Sequence, residues 1–403
     1  MKSKRGSSAV FIMVILATLI SITLALIYAV RSETLKSRVD AITLLAADSV
    51  MSEFDYDIRK EYGLFLIRGS DSYLGNKLRG YISHSLQKMD DVKLEHVKVS
   101  GSRFSTANTD MVKDQILEYM KLTYAEDSFG ALTDGADKQP GLNDMEARTL
   151  RHGPTAASLP SASMPDKSLS SIAGSIADNV KEADKAFKEG SEKYLLNRYI
   201  LEKFNSRVDK NNGEHFFRSE AEYILAGEDS DAKNEKRIEI ALKAMRFPLN
   251  LAHIYSDPAK RSQTLALAEV MTPGPAAPAT QAVLASTWAY AEADNDVDLL
   301  WQGHKVPLTK DPSTWAIDLD SAVEGIMGET IVPDVEKGHD YSGYLQILLF
   351  FKDDNMKISR ILDLIQINSR MSRDGDFLIN EYSMGIAAEV RVNGTEYIYE
   401  KKY

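Results

Sequence analysis

The chain has 403 residues, of which 44% are hydrophobic and 27% are charged. This is the composition of a folded protein that is long enough for two or three packed units. The formal net charge of −11 argues against nucleic acid as a partner, because a nucleic-acid binder needs a basic face to neutralise phosphate. The chain contains no cysteine, which excludes disulfides, thiolate metal ligands and cysteine nucleophiles.

Residues 9–30 form an apolar run without charge, proline or glycine. As a helix this run would rise about 33 Å, which is enough to cross a hydrocarbon core of about 30 Å. Lys2, Lys4 and Arg5 precede it, so the positive-inside rule predicts that residues 1–8 stay in the cytoplasm. We therefore expect a single-pass protein of the cell membrane with an extracellular C-terminus, in which the lipid bilayer is the first partner.

Two other interpretations of this N-terminus stay open. A cleaved secretory signal would have a shorter apolar region, and Ala29 is the one small residue suited to its cleavage site. A prepilin-type leader would end at Gly6 and leave Ser7 as the first residue. Such leaders are usually followed by Glu at the fifth mature position, where this chain has Phe11. The pair Gly6–Ser7 is therefore a candidate processing site.

An amphipathic pattern continues the apolar run beyond the membrane. Apolar residues recur every three or four positions, and neither glycine nor proline interrupts them before Gly63. An apolar half in lipid and an amphipathic half outside is the plan of a pilin-like first helix. The stripe has to meet either its own domain or a partner helix, and both remain open. The candidate helix-packing stripe is Leu35, Val39, Ile42, Ala46, Val50, Phe54 and Ile58.

The remaining chain divides into three parts by composition. Residues 31–127 are predicted to form a membrane-proximal helix and a small α/β unit, with a strand at 92–99. Residues 128–175 carry four prolines among many small and polar residues, and are predicted to be a linker or long loop. Residues 176–403 are predicted to form a mainly helical distal ectodomain that ends in a β-hairpin.

The C-terminal hairpin has the clearest local signal. Asn393-Gly394 separates two alternating segments within residues 389–400, and this dipeptide tolerates the positive φ angles of a type I′ turn. Residues 341–351 and 356–371 are predicted to form a helical pair. The predicted fold class is mainly α (α+β), with a long N-terminal transmembrane helix, a largely helical ectodomain and a small antiparallel β component.

No motif in the chain predicts catalysis. Phosphate-binding glycine loops, nucleotide fingerprints and nucleophile elbows are absent, and the seven histidines do not pair at metal-ligand spacing. His253 lies in an apolar helical segment, which favours a core or boundary role. Residues 228–231 are read as a turn and cap for the next helix, and the acidic residues 294–298 as following a helix. We assign no catalytic residue, no cofactor and no metal ligand.

Two stretches, residues 219–261 and 284–319, resemble a bacterial family of unknown function whose members are encoded among tight-adherence (Flp-type) pilus genes of Gram-positive bacteria. The start KRGSSAVFIMVILATLI also resembles TadE- and TadG-like pilin-related proteins. The segment EYGLFLI (61–67) and the C-terminal helical pair fit the same family. The matched signatures suit structural positions, a helix end at Gly227 and a turn at Gly303.

The resemblance implies a role without a mechanism. It implies a non-enzymatic, pilin-like surface component of a tight-adherence pilus or type II secretion-like assembly, with other pilin-like or pilus-assembly membrane proteins as partners. A membrane-tethered extracellular enzyme acting on cell-wall polymers is the first alternative, and would need a pocket in which carboxylates or a histidine converge. A ligand-binding or sensor ectodomain is the second, although only eight residues would remain inside to transmit a signal.

Overall fold

A computed structural model describes residues 5–87, 89, 92–129, 139–140, 148–150, 158–161, 165–166, 168–178, 182, 184–211, 215–325 and 330–403. The α-helices in this part of the chain are α1 Arg5–Met51, α2 Tyr56–Tyr62, α3 Asp71–Leu86, α4 Thr109–Phe129, α5 Leu169–Asp178, α6 Glu192–Lys203, α7 Glu220–Ala226, α8 Asp231–Ser256, α9 Pro258–Met271, α10 Ala277–Trp301, α11 Leu319–Glu324, α12 Tyr341–Phe351 and α13 Asp354–Ser372. The strands are β1 Ile67–Arg68, β2 Leu94–Ser100, β3 Gln139–Pro140, β4 Asp209–Lys210, β5 Tyr382–Ser383, β6 Gly385–Val392 and β7 Thr395–Lys402. The predicted class, mainly helical with small antiparallel sheets, is confirmed.

The chain folds into two compact units that interleave in sequence. The first unit comprises residues 1–55, 65–105 and 381–403, and the second comprises residues 56–64 and 106–380. The predicted division of the chain places the C-terminal hairpin with the distal helices. In the structure, residues 381–403 belong to the first unit, because their apolar side chains enter its core.

In the first unit, α1 and α3 pack on a three-stranded antiparallel sheet with the strand order β2-β6-β7. Burial alternates along β2 and β6, as expected when one face of a sheet is covered. The covered face carries small and β-branched side chains that meet apolar residues of both helices. These strand residues are Val97, Val99, Ile386, Ala388, Val390 and Val392.

The predicted type I′ hairpin is confirmed. Asn393 has a φ of 49° and Gly394 a φ of 77°, and Val392 pairs with Thr395 across the turn. Asn393 is the one described non-glycine residue with a positive φ, a conformation that asparagine tolerates better than other residues. Its side-chain oxygen also accepts a hydrogen bond from the Lys93 amide at 2.8 Å, which joins the turn to the start of β2.

The expectation that one long helix carries the whole apolar stripe, as far as Ile58, is wrong. Helix α1 ends at Met51, and α2 begins at Tyr56. The segment between them is held by tertiary contacts. The Glu53 carboxylate contacts Lys77 and accepts a hydrogen bond from Tyr81 at 2.7 Å, and both partners lie on α3. These contacts replace the helical continuation that local propensity favours.

Among the described residues of the second unit, the regular secondary structure is helical apart from the short pair β3 and β4. Helix α8 packs against α5 and α10, and α6, α12 and α13 supply much of the buried apolar surface. The predicted helical pair is confirmed as α12 and α13, with Asp353 accepting a hydrogen bond from the Met356 amide at the start of α13. The acidic residues 294–298 do not follow a helix, because α10 continues as far as Trp301.

Most of the predicted linker at 128–175 lies outside the described residues. Its described residues include β3, which pairs with β4, and the first turns of α5. Leu169 and Ala173 of α5 are buried in the second unit. This end of the predicted linker is therefore part of a packed helix.

Candidate functional site

The exposed apolar part of α1 is the most unusual surface of the described chain. Every residue from 10 to 30 is exposed, and the most apolar 18-residue window has a mean hydropathy of 2.9 with none of its residues buried. Among the described helices, α1 alone is long and apolar enough to cross a membrane by length and composition. A core helix of a soluble domain would bury these side chains, whereas this segment leaves them without protein contacts.

The serine and threonine hydroxyl groups in this segment form hydrogen bonds within the helix. The hydroxyl of Thr18 donates to the Ile15 carbonyl at 2.8 Å, and that of Ser21 donates to the Ala17 carbonyl at 2.9 Å. Thr23 donates to the Leu19 carbonyl at 2.7 Å. Hydroxyl groups paired in this way need no water, which is the condition for placing them in hydrocarbon.

The helix-packing stripe lies against the unit's own sheet. Val39, Ala46 and Val50 are at most 4% exposed in the core formed with α3 and the sheet, and Leu35, Ile42 and Phe54 pack on that core while partly buried. Ile58 is not on α1, because it lies buried in α2 of the second unit. The sequence allows the stripe to pack on its own domain or on a partner helix. In the structure, its first six residues pack on their own domain.

Gly6 and Ser7, the candidate processing site, lie in the first turns of α1. The structure places them directly before the exposed apolar segment, and cleavage between them stays a prediction.

Polar contacts attach α1 to the last strand of the chain. Tyr399 donates a hydrogen bond to Asp40 at 2.5 Å, and Lys401 forms an ion pair with Asp48 at 2.7 Å. At the end of the strand, the Tyr403 hydroxyl contacts the carbonyl of Met51. Burial and the hydrogen bond to Asp40 raise the pKa of the Tyr399 phenol, so that it remains a donor. The helix that carries the apolar segment is thereby attached to its folded unit along about three turns.

A cluster of buried charges lies in the second unit, between α8, α10 and the segment after α10. Arg246 donates to Asp296 at 2.9 Å and to Asn250 at 2.9 Å, and it also donates to the Leu308 carbonyl at 2.7 Å. Lys310 contacts Glu292 and lies 2.6 Å from the second oxygen of Asp296. The four charged side chains are at most 1% exposed.

Charges compensate one another within this cluster, since two cations face two carboxylates. Burial raises the pKa of Asp296, but Arg246 and Lys310 outweigh burial and hold this pKa below its ordinary value. Burial raises the pKa of Glu292, whose carboxylate also accepts hydrogen bonds from the amides of Ala316 and Ile317. Removing any one of these charges would leave another buried charge uncompensated, which is energetically costly. The cluster therefore holds the loop after α10 against α8 and α10.

No local sequence pattern predicts this cluster. Glu292 and Asp296 are four residues apart on α10, which places them on one helix face, but acidic residues on a helix are ordinarily solvated. If the predicted helix is extended as far as Trp301, its periodicity places both carboxylates on the same buried face as Ala289 and Val297.

His253 and Lys260 lie at the edge of this cluster, against two tryptophans. The His253 ring stacks on Trp315 with centroids 5.2 Å apart, and the Lys260 amine lies 4.5 and 4.2 Å from the ring centroids of Trp288 and Trp315. Both indole N–H groups donate to the Ile317 carbonyl. Burial lowers the pKa of His253, and Lys260 lowers it further. The His253 side chain is 13% exposed, which agrees with the core or boundary role expected for it.

The matched signatures occupy structural positions, as expected. Gly227 ends α7 with a φ of +72°, and Gly303 follows α10 with a φ of +87°. Tyr341 and Tyr344 are buried in the core of the second unit. In the acidic turn before α8, Glu228 pairs with Arg237 at 2.8 Å. Across the described residues, no group of three or more acidic or histidine side chains is arranged to hold a metal ion.

A surface cavity in the second unit contains a buried amine. It has a volume of about 420 Å³ and is lined by Phe351, Lys352, Met356 and Arg360, among others. Burial, together with the positive charge of the neighbouring Arg360, lowers the pKa of Lys352 to about 7. The Lys352 side chain, which is 3% exposed, contacts Asp166. An amine with this pKa is partly neutral near pH 7, and this is a condition for nucleophilic chemistry.

Comparison with known proteins identifies a family but no characterised relative. Residues 152–394, which are more than half of the chain, match the model of the family of unknown function DUF5702. No curated protein and no solved structure matches the chain. The matched region includes the buried charge cluster, the tryptophan pair and the strand β6. The chain thus belongs to the DUF5702 family of unknown function.

Proposed function

We propose that this protein is a non-enzymatic, membrane-anchored, pilin-like surface component of a tight-adherence pilus or type II secretion-like assembly. The observation that carries the proposal is the construction of α1. Residues 10–30 expose apolar side chains on all sides, whereas later residues of the same helix enter the core of a folded unit. A helix built in this way holds its domain at a fixed distance from a bilayer or from a bundle of similar helices.

The orientation follows from the charges at the N-terminus. Lys2, Lys4 and Arg5 precede the span, and the positive-inside rule keeps such a short basic end in the cytoplasm. The two folded units, which follow the span, would then lie outside the cell.

The proposed partners are other pilin-like or pilus-assembly membrane proteins. The extramembrane stripe of α1 is covered by the unit's own sheet, so the surface left for partner helices is the segment 10–30. The resemblance of this segment to TadE- and TadG-like proteins supports the same partners. Contacts between such helices would depend on close packing within the bilayer, because lipid tails are as apolar as the helix itself.

Deletion of the gene tests the role. We expect loss of pilus assembly, restored by the full chain. A matched variant in which residues 10–30 are replaced by an unrelated apolar span of the same length keeps the anchor but changes the helix surface. If the proposal is right, this variant stays in the membrane and does not restore assembly. A fully assembled pilus in the deletion strain would contradict the proposal.

The same strains test the first alternative. A membrane-tethered enzyme acting on wall polymers would leave the pilus intact on deletion and change the turnover of wall material. Mass spectrometry of the mature N-terminus addresses processing. A chain beginning at Ser7 indicates prepilin-type cleavage, whereas one beginning at Met1 or Lys2 indicates an uncleaved anchor.

A further inference from the structure

The geometry points to a covalent amide cross-link between the side chains of Lys310 and Asp296, formed within the buried charge cluster with Glu292 as the proton relay. This inference concerns the second unit alone and does not rest on the proposed function. It assigns to the three residues a modification that the protein would carry out on itself after folding.

The reacting groups are in contact and shielded from water. The Lys310 amine lies 2.6 Å from one carboxylate oxygen of Asp296, Oδ1, and both side chains are at most 1% exposed. The Trp315 ring centroid lies 5.7 Å from the amine and covers it. Two reactive groups held together in this way meet at a high effective concentration, and exclusion of water favours a condensation that releases water.

The other oxygen of Asp296 is held by donors. The Nε of Arg246 donates to Oδ2 at 2.9 Å, and the side-chain amide of Asn250 donates to the same atom at 3.0 Å. When the amine adds to the carboxyl carbon, negative charge develops on Oδ2, and these two donors stabilise it where it forms. They would hold the amide oxygen in the product.

Glu292 is placed to move the proton. Its carboxylate contacts the Lys310 amine, and it lies one helical turn from Asp296 on α10. Burial raises the pKa of Glu292. A carboxyl group with a raised pKa accepts a proton and returns it more readily than an ordinary glutamate.

The atoms balance without an oxidant or a further reagent. The bond between Nζ of Lys310 and Cγ of Asp296 forms, and the bond between Cγ and Oδ1 breaks. Two protons leave the ammonium group, one passing directly to Oδ1 and one through Glu292, and Oδ1 departs with them as water. The charges of Lys310 and Asp296 vanish together, so that Arg246 and Glu292 remain as a balancing pair.

The mass of the purified full-length protein tests the inference. A cross-linked chain is lighter than its sequence by one water, about 18 Da. Tryptic digestion should yield one branched peptide that joins the segments around residues 296 and 310, since trypsin does not cleave after an acylated lysine. Lys357 is the internal control. Its amine is buried and donates a hydrogen bond to the Asn197 side chain at 2.8 Å. Because this amine is not acylated, trypsin should cleave after Lys357.

Three variants separate the roles. K310M should have the mass of its own sequence. D296N should lose about 17 Da, because the nitrogen of the asparagine amide then leaves as ammonia in place of water. E292Q keeps an acceptor for the Ala316 and Ile317 amides and should fold without forming the cross-link.

A folded wild-type chain with the full sequence mass overturns the inference. This result does not depend on the folding of any variant. A cross-link that persists in E292Q overturns the role given to Glu292. Pilus assembly in the deletion strain has no bearing on either outcome, so this inference and the proposed function can fail separately.

Discussion

Tyr399, in the last strand of the chain, donates a hydrogen bond to Asp40 on the first helix, with 2.5 Å between the oxygens. The contact spans nearly the whole sequence and lies within one compact unit. Beside it, Val390 of β6 is fully buried among side chains of α1 and α3. The C-terminal strands therefore complete the core on which the long first helix packs.

Val390→Ala is expected to destabilise the first unit by about 2 kcal/mol, because two buried methyl groups are lost and a cavity is left. All three tryptophans lie in the second unit, so the measurement is amide hydrogen exchange in β2 and β6. The control is Ile398→Ala on β7, where the side chain is 72% exposed, and its effect should stay within about 0.5 kcal/mol. If the amides of β2 and β6 are equally protected from exchange in the two variants, the sheet does not depend on the burial of Val390.

Arginine at both Leu16 and Ile20 should release the chain from the membrane. Both side chains are exposed in the apolar segment, and each arginine at the centre of a span costs about 3 kcal/mol of insertion free energy. The measurement is resistance to alkaline carbonate extraction. The matched control places arginines at Thr34 and Ala41, which are exposed on the same helix beyond the span. An unchanged membrane fraction for the double variant would argue against residues 9–30 as the membrane-spanning segment.

Gly227→Ala should destabilise the second unit more than Gly325→Ala. Both glycines end helices in the left-handed conformation, with φ of +72° and +69°. An alanine Cβ costs about 1 kcal/mol in that conformation at either site. At Gly227 the new Cβ would also lie 2.3 Å from the Arg360 guanidinium, whereas at Gly325 no atom of the described residues lies within 4 Å.

The displaced Arg360 would lose its hydrogen bonds to the Ile224 and Leu225 carbonyls, both 2.8 Å long, which adds about 1–3 kcal/mol. Urea unfolding followed by tryptophan fluorescence measures both variants. Equal midpoints would mean that Arg360 moves aside at no cost.

Glu222 should make the stability of the second unit depend on pH. Burial raises its pKa from 4.5 to about 7, although Tyr341 donates to its carboxylate at 2.6 Å. Because the folded-state pKa is the higher one, its contribution to stability is fully present below about pH 4.5 and is lost as the pH rises through about 7.

When the pH is lowered from 8 to 5, the unfolding free energy of the wild type should therefore rise by about 2–3 kcal/mol relative to that of Glu222→Gln. Glutamine keeps an acceptor for Tyr341 and does not titrate. Both proteins contain all the other carboxylates, so the effects of those groups cancel when the two urea midpoints are compared at each pH. A constant difference across this pH range would contradict the raised pKa.

Arg246→Met should cost about 3–5 kcal/mol, because it leaves a buried carboxylate without its compensating charge. Lys236→Met is the control, since that amine is 63% exposed and its pair with Glu239 lies on the helix surface. The control should change the unfolding free energy by about 0.5 kcal/mol or less. A small effect of Arg246→Met in urea unfolding would mean that the charge cluster does not hold α8, α10 and the following loop together.

The local features of this protein were determined by its sequence alone. The length and apolarity of residues 9–30 define a helix that can span a membrane, and Asn393-Gly394 specifies the hairpin turn. Asp353 at the start of α13 and Gly227 at the end of α7 follow from the same kind of reasoning. Each depends on backbone preferences or on hydrogen bonds between residues a few positions apart, which a single sequence displays directly.

Only the tertiary structure decided which distant segments meet. The sequence predicts a strand at 92–99 and a hairpin within residues 389–400, but the observed pairing of β2 with β6 brings together residues almost 300 positions apart. That pairing covers the stripe of α1 with the unit's own sheet. A second non-local contact, between Glu53 and Lys77 of α3, lies just after the end of α1. Ile58 therefore lies on α2 and is not part of the stripe on α1. Non-local contacts of this kind depend on shape and burial, which periodicity does not encode.

The charge cluster is the sharpest case. Glu292, Asp296 and Lys310 are ordinary charged residues in the sequence, and their types alone predict exposure. Their burial is compensated by Arg246, which lies on another helix. Composition and spacing thus determine that the chain has an N-terminal helix long and apolar enough to span a membrane, followed by a mainly helical fold. The partners of its buried charges, and any bond between them, depend on the tertiary fold.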